Sequence, residues 1–149
     1  MKPIFEIVSI KQEIKQSDLK GAFDRIADPD ILAEIVKHYI RDEDREIFLV
    51  LIFNIKMRLT AIHRCSIGAI DEAIVTPREV FKSAILNNAA AIAVAHNHPS
   101  SDPTESKKDI ETTKRLHRAG DILGIRLLDH IIVAANTDEY VSFKEKGII

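Results

Sequence analysis

The sequence predicts an α/β sandwich built around one mixed β-sheet. Two observations support this prediction. The run Ile47–Phe53 is apolar without interruption, which is typical of a central strand covered on both faces. Asp28-Pro29 and Thr76-Pro77 each place a favourable N-cap before a proline, which indicates the start of a helix. Strands that alternate with helices in this way pack as layers around a shared sheet.

The N-terminal part of the sequence predicts a strand followed by a helix. We expect Ile4–Ile10 to form the first strand, whereas Lys11–Ile26 is polar and allows no assignment. A helix then begins after Asp28, since apolar residues recur at helical spacing behind Pro29.

The middle of the sequence predicts a hairpin, a helix and a buried strand. Ile47–Phe53 and the alternating segment Arg58–Cys65 are expected to pair as a hairpin. Thr76-Pro77-Arg78-Glu79 is a capping box and predicts the next helix. Ala89–Ala95 then predicts a short buried strand that leads directly into His96.

The last third of the sequence predicts one more helix and two strands. Asp102-Pro103-Thr104-Glu105 has the form of a second capping box, and we expect it to open a helix that carries Ser106 and Asp109. The segments Ile125–Ala134 and Glu139–Phe143 are predicted to be the late strands.

Length and composition limit the class of protein. We expect 149 residues to form a single domain over 1–149, with an N-terminal strand and helix over about 1–41 and a core over 42–149. A formal net charge of -2 does not supply the basic field that non-specific nucleic-acid binding requires. The single cysteine, Cys65, and a start without an apolar leader predict a cytoplasmic protein. The apolar runs are too short for a membrane span, so no membrane partner is expected.

The residues that carry chemistry are concentrated in one stretch. In an extended segment, His96 and His98 point the same way, while Asn97 points elsewhere. Ser106 and Asp109 are three residues apart and share a helix face. Two imidazoles and one carboxylate make up the usual ligand count of a catalytic zinc site, which keeps its fourth position open. We therefore predict one Zn²⁺ per chain, bound by His96, His98 and Asp109.

A catalytic zinc site needs two further groups. Zinc lowers the pKa of bound water to about 7, and a nearby base must then take and return the proton. The oxyanion of the reacting carbonyl also needs a hydrogen-bond donor, for which the hydroxyl of Ser106 is a candidate. His130 lies in an apolar segment, and we interpret it as a hydrogen-bonded core histidine.

The pattern His96-x-His98, seven residues, Ser106-x-x-Asp109 resembles the JAMM motif of MPN/JAB domains. Further segments are similar to the bacterial RadC-like branch, and the resemblance runs from about Asp42 to the C-terminus. These segments are Thr76-Pro77-Arg78-Glu79-Val80-Phe81, His96-Asn97-His98-Pro99-Ser100, Leu127-Leu128-Asp129-His130 and Tyr140-Val141-Ser142-Phe143. Many RadC-like sequences have glycine where this one has Ser101, a change that removes no ligand.

The resemblance implies a fold, a chemistry and a base. The fold is a cytidine-deaminase-like three-layer sandwich with a mixed central sheet, and the activity is zinc-dependent hydrolysis of a peptide or isopeptide-like bond in a peptide or protein substrate. The family's catalytic glutamate lies just before the strand that precedes the metal segment, which is Glu46 here. Glu79 is the rival candidate, although its place in a capping box explains it without catalysis.

Two other functions remain open at the level of sequence. The literal His-Asn-His string suggests a metal-dependent nuclease, but the net acidic chain argues against one. A non-enzymatic interaction domain, or a DNA-repair-associated factor that retains the zinc site, is the other alternative. Full-length relatives carry an upstream helix-hairpin-helix region thought to touch DNA. We expect no such region before Asp42, and therefore no direct DNA binding.

Overall fold

A computed structural model of the chain describes residues 1–19, 28–68 and 75–149. Across these ranges the chain forms three helices and a five-stranded sheet. The helices are α1 (Pro29–Ile40), α2 (Pro77–Leu86) and α3 (Lys107–Leu123); the strands are β1 (Ile47–Phe53), β2 (Leu59–Ile67), β3 (Ala91–His98), β4 (Arg126–Ala134) and β5 (Tyr140–Ser142). None of the described helices is both long and apolar enough to cross a bilayer.

The sheet is mixed, as the sequence predicts. Its strand order is β2-β1-β3-β4-β5. β3 and β4 pair in parallel, and the other three pairs are antiparallel. Every residue of β1 is buried, which confirms that Ile47–Phe53 is a central strand covered on both faces.

Helices cover both faces of the sheet and complete three layers. On one face, Leu49 and Leu51 of β1 belong to the apolar cluster that includes the buried side of α1. On the other face, Phe48 and Val50 pack in the cluster that contains residues of α2 and α3. Each fully buried aliphatic or aromatic side chain stabilises such a core by about 1.5–3 kcal/mol relative to its exposed state.

Two predicted helix starts are confirmed and the third is wrong. Asp28 accepts a hydrogen bond from the backbone N–H of Asp30, and Thr76 accepts one from that of Glu79. Asp102, in contrast, does not begin α3, because its carboxylate accepts hydrogen bonds from the N–H and the hydroxyl of Thr104. The N-cap of α3 is Ser106, four residues later.

The predicted first strand, Ile4–Ile10, is also wrong. Residues 1–19 form neither helix nor strand, and the side chains of Ile4, Phe5 and Val8 are exposed. A strand needs a neighbour to satisfy its backbone groups, and this segment pairs with no described strand. Of the unassigned residues 11–26, those from 20 onward lie outside the described ranges.

Candidate metal centre

The three predicted metal ligands converge where β3 ends and α3 begins. His96 and His98 lie on the face of β3 that α3 covers, and Asp109 lies in the first turn of α3. The Nε2 atoms of the two histidines are 3.1 Å apart. They lie 3.4 Å and 3.6 Å from the carboxylate oxygens of Asp109. One ligand atom from each residue can therefore be chosen so that all three lie within 4.8 Å of one another.

The N-terminus of α3 fixes the direction of the Asp109 carboxylate. Ser106 and Asp109 form a reciprocal capping box: Ser106 Oγ accepts from the N–H of Asp109 at 3.0 Å, and Asp109 Oδ2 accepts from the N–H of Ser106 at 2.9 Å. Ser106 therefore precedes the helix rather than lying on its face, which corrects the sequence prediction. Its hydroxyl oxygen acts as an acceptor, and its own proton remains available for donation.

A chain of hydrogen bonds determines which nitrogen of His96 carries a proton. The Thr113 hydroxyl donates to the Asp109 carbonyl at 2.7 Å, so it must accept from Nδ1 of His130 at 2.6 Å. His130 Nε2 is then the acceptor for His96 Nδ1–H at 2.8 Å. His96 Nε2 is left without a proton, and its lone pair points towards the carboxylate of Asp109.

The same reasoning applies to His98. Its Nδ1 lies 3.0 Å from the carbonyl oxygen of Asp102, which can only accept, so Nδ1 carries the proton and Nε2 does not. Two nitrogen lone pairs thus face each other across 3.1 Å. Such acceptors repel unless a cation or a proton lies between them, and the donor set of His96, His98 and Asp109 therefore suits a metal ion.

The electrostatics of the site favour positive charge. Burial raises the pKa of Asp109, but the adjacent imidazoles of His96 and His98 outweigh this effect and hold the pKa well below its usual range. The hydrogen bond that a protonated Nε2 of His98 would donate to Asp109 raises the pKa of His98, partly offset by burial. Full burial and the neighbouring His96 lower the pKa of His130 far below its ordinary value, so His130 is neutral, as the hydrogen-bond chain requires.

The ligands line a cavity of about 240 Å³, and the candidate base lies in its wall. Phe48 forms part of this wall and stacks on the ring of His96, with 6.2 Å between the ring centroids. The described residues that line the cavity are Glu46, Phe48, His96, His98, Ser106, Lys108, Asp109, Thr112 and His130.

The placement of the two candidate glutamates is different. Glu46 lines the cavity together with the three ligands. Glu79 does not; its backbone N–H is capped by Thr76 and its carboxylate lies 3.3 Å from Lys82. The geometry therefore favours Glu46 over Glu79 as a group that can reach reacting atoms.

Two residues that contact the ligands were not identified from the sequence. His130 is a hydrogen-bonded buried histidine, as interpreted, and its partners are the ligand His96 and Thr113. Thr113 lies four residues after Asp109 on α3, and that spacing places both on one helix face. The helical spacing could have revealed Thr113, whereas no local pattern links His130 to His96.

Fold and site together define an α/β domain with a His-His-Asp candidate metal centre at the carboxyl end of a central strand. The RadC-like JAB domain family model matches residues 26–148, which include α1 as well as the region after Asp42. The chain belongs to this RadC-like JAB domain family.

Relatives of the chain are called UPF0758 proteins. One from Desulforamulus reducens is 47% identical over 121 residues, which are 81% of this chain and 52% of that protein. One from Caldanaerobacter subterraneus subsp. tengcongensis is 44% identical over 122 residues, 82% of this chain and 52% of that protein. A third, from Geotalea uraniireducens, is 41% identical over 94% of this chain and 63% of that protein. The chain thus spans about half the length of the first two relatives.

Proposed function

We propose that this domain is a zinc-dependent hydrolase of the JAMM type that cleaves a peptide or isopeptide-like bond. The single observation that carries the proposal is the convergence of the Nε2 atoms of His96 and His98 and the oriented carboxylate of Asp109 in a cavity that Glu46 also lines. A cluster of ligands alone fits many metal sites, whereas a carboxylate in the same cavity adds a group that can transfer protons.

His96, His98 and Asp109 would hold the zinc ion. Two imidazole nitrogens and one carboxylate oxygen suit zinc, and three protein ligands leave one position open for catalysis. When bound, the ion lowers the pKa of a coordinated water to about 7 and so supplies a nucleophile at neutral pH. Membership of the JAB domain family supports this choice of metal.

Glu46 and Ser106 would supply the remaining chemistry. As a general base, the Glu46 carboxylate takes a proton from the attacking water and then donates it to the leaving nitrogen. The Ser106 hydroxyl accepts from the N–H of Asp109, so its proton can be donated to the carbonyl oxygen of the substrate as negative charge develops there.

The charge of the site supports a peptide rather than a phosphodiester substrate. Among the described residues that line the cavity, Lys108 is the one lysine or arginine, and Glu46 and Asp109 contribute carboxylates. The chain also has a formal net charge of -2. A nucleic-acid backbone requires several cations near the reacting group, which the described lining of this cavity does not supply.

The proposal is tested with zinc-loaded wild type and Glu46→Gln against a panel of peptides and isopeptide-linked substrates. We expect Glu46→Gln to retain zinc and to lose hydrolysis by about 10²- to 10⁴-fold, the contribution of a positioned base. Glu79→Gln is the matched control and should hydrolyse as the wild type does. Equal activity of Glu46→Gln and wild type on every cleaved substrate would contradict the proposal.

A further inference from the structure

Asn97 lies between His96 and His98 in sequence, but its side chain points to the opposite face of the sheet. The residue is completely buried. Its Oδ1 accepts a hydrogen bond from the N–H of Ile47 at 2.7 Å. Its Nδ2 donates to the carbonyl of Arg45 at 2.9 Å and to that of Glu43 at 3.4 Å. Each of these partners belongs to the backbone around the start of β1.

These hydrogen bonds hold the backbone on either side of Glu46. The carbonyl of Arg45 and the N–H of Ile47 flank Glu46 on its two sides, and both are bound by Asn97. The carbonyl of Glu46 itself accepts from the N–H of Gly68 at 2.9 Å. The backbone on both sides of Glu46 is therefore held by hydrogen bonds to Asn97 and Gly68, and the residue lines the cavity.

The sheet register explains why a carboxamide occupies this position. The antiparallel pairing of β1 with β3 ends at Phe48 and His96. One residue further along, the side chain of Asn97 makes the hydrogen bonds that another backbone pair would make. A carboxamide offers a donor and an acceptor together, whereas an ionised aspartate offers acceptors alone and an aliphatic side chain offers neither.

We propose that Asn97 is a positioning residue that holds Glu46 at the candidate metal centre, an inference that rests on the proposed function of Glu46. The two neighbours of Asn97 in sequence are candidate zinc ligands, and their side chains point to the other face of β3. The three-residue segment His96–His98 therefore binds the metal on one face and fixes the base from the other. Precise placement matters because a displacement of about 1 Å can cost about 10²-fold in rate.

The test uses cobalt, which replaces zinc and shifts the NMR signals of nearby protons. Glutamate-labelled wild type, Asn97→Ala and Asn54→Ala are compared with one equivalent of Co²⁺, and the Glu46 signal is assigned by its loss in Glu46→Gln. Asn54 is the matched control, because its side chain accepts from the N–H groups of Lys56 and Arg58 at the other end of β1.

We expect cobalt to bind all three proteins, because Asn97 contributes no ligand. In wild type and in Asn54→Ala the Glu46 signal should be strongly shifted; in Asn97→Ala it should move part of the way back to its metal-free position. The signals of the His96 and His98 rings should stay where they are in all three proteins. An unchanged Glu46 signal in Asn97→Ala overturns the proposal.

Amide exchange at Ile47 provides a second test that needs no metal. Loss of the hydrogen bond from Ile47 to Asn97 should accelerate its exchange by on the order of tenfold in Asn97→Ala and leave it unchanged in Asn54→Ala. If Asn97→Ala does not fold, Asn97→Ser replaces it. Fast exchange of the Ile47 amide in the wild type would contradict the hydrogen bond from Ile47 to Asn97. Failure of the wild type to bind cobalt would contradict the proposed function instead, and the exchange rates would still show whether Asn97 holds the backbone beside Glu46.

Discussion

The substitution Thr113→Val removes one buried hydroxyl from behind the candidate metal centre. Thr113 is completely buried; its hydroxyl donates to the Asp109 carbonyl and accepts from His130. Valine has nearly the same shape and no hydrogen-bonding group, so the change affects the hydrogen-bond chain far more than the packing.

The structure limits the size of the effect, because His130 has two possible responses. It can keep its Nδ1–H buried without a partner, which costs about 1–3 kcal/mol. Alternatively it can move the proton to Nε2, and His96 must then carry its own proton on Nε2, where it blocks the metal. The metal-free variant can relieve this cost by the second response, whereas the zinc-bound variant must keep the first, so we expect the zinc affinity to weaken by about 5- to 150-fold.

The affinity is measured by competition with a chromophoric zinc chelator. Thr112→Val is the matched control, since Thr112 is the adjacent threonine and lines the cavity without belonging to the hydrogen-bond chain. Thermal unfolding of the metal-free proteins shows whether either substitution changes the fold. A Thr113→Val protein that binds zinc within twofold of Thr112→Val would refute the assignment of the protons.

Burial raises the pKa of Cys65 to about 11. At pH 8 its alkylation by iodoacetamide should therefore be about 200-fold slower than that of an ordinary thiol, and the rate should rise up to about pH 11. A rate that reaches its plateau near pH 8.5 would contradict this prediction. Gly120→Ala should lower the free energy of unfolding, measured by urea denaturation, by about 1–3 kcal/mol, because the new Cβ would lie 2.4 Å from the carbonyl oxygen of Ile125. This clash outweighs the better helix propensity of alanine. Asp129→Ala should cost about 3 kcal/mol in the same assay, since the buried carboxylate accepts from the Ser142 hydroxyl and two backbone amides; a loss below about 1 kcal/mol would count against it.

Local signals were sufficient for most of the fold. An uninterrupted apolar run predicts β1 without any knowledge of its neighbours, because a strand covered on both faces has no polar side to show. The caps at Asp28 and Thr76 act through backbone groups two or three residues away, so they too are visible locally.

The start of α3 shows where local reasoning fails. Asp102 and Ser106 are both followed by an acidic residue three positions later, so each resembles a capping box. Ser106 is the N-cap of α3 in the structure, and its backbone N–H also directs the Asp109 carboxylate towards His96. The segment Ile4–Ile10 fails for a related reason, because strand formation depends on a pairing partner that the local sequence does not specify.

The candidate site was predictable to the extent that its residues are close in sequence. His96 and His98 share a strand face, and Asp109 follows within one loop and one turn of helix. The residues that orient them come from further away: His130 is 34 positions from His96, and Asn97 is 50 positions from Ile47. Contacts at such separations follow from the strand order of the sheet rather than from periodicity or spacing.

The metal content of the purified chain, measured by inductively coupled plasma mass spectrometry, tests the zinc site most directly. We expect about one zinc per chain in the wild type and in the control Asp121→Ala, since Asp121 lies on the same helix and contacts His117. We expect Asp109→Ala to lose zinc and to retain its secondary structure by circular dichroism. A wild type that stays free of metal after zinc is offered, or a folded Asp109→Ala that keeps zinc, would contradict a metal centre at His96, His98 and Asp109.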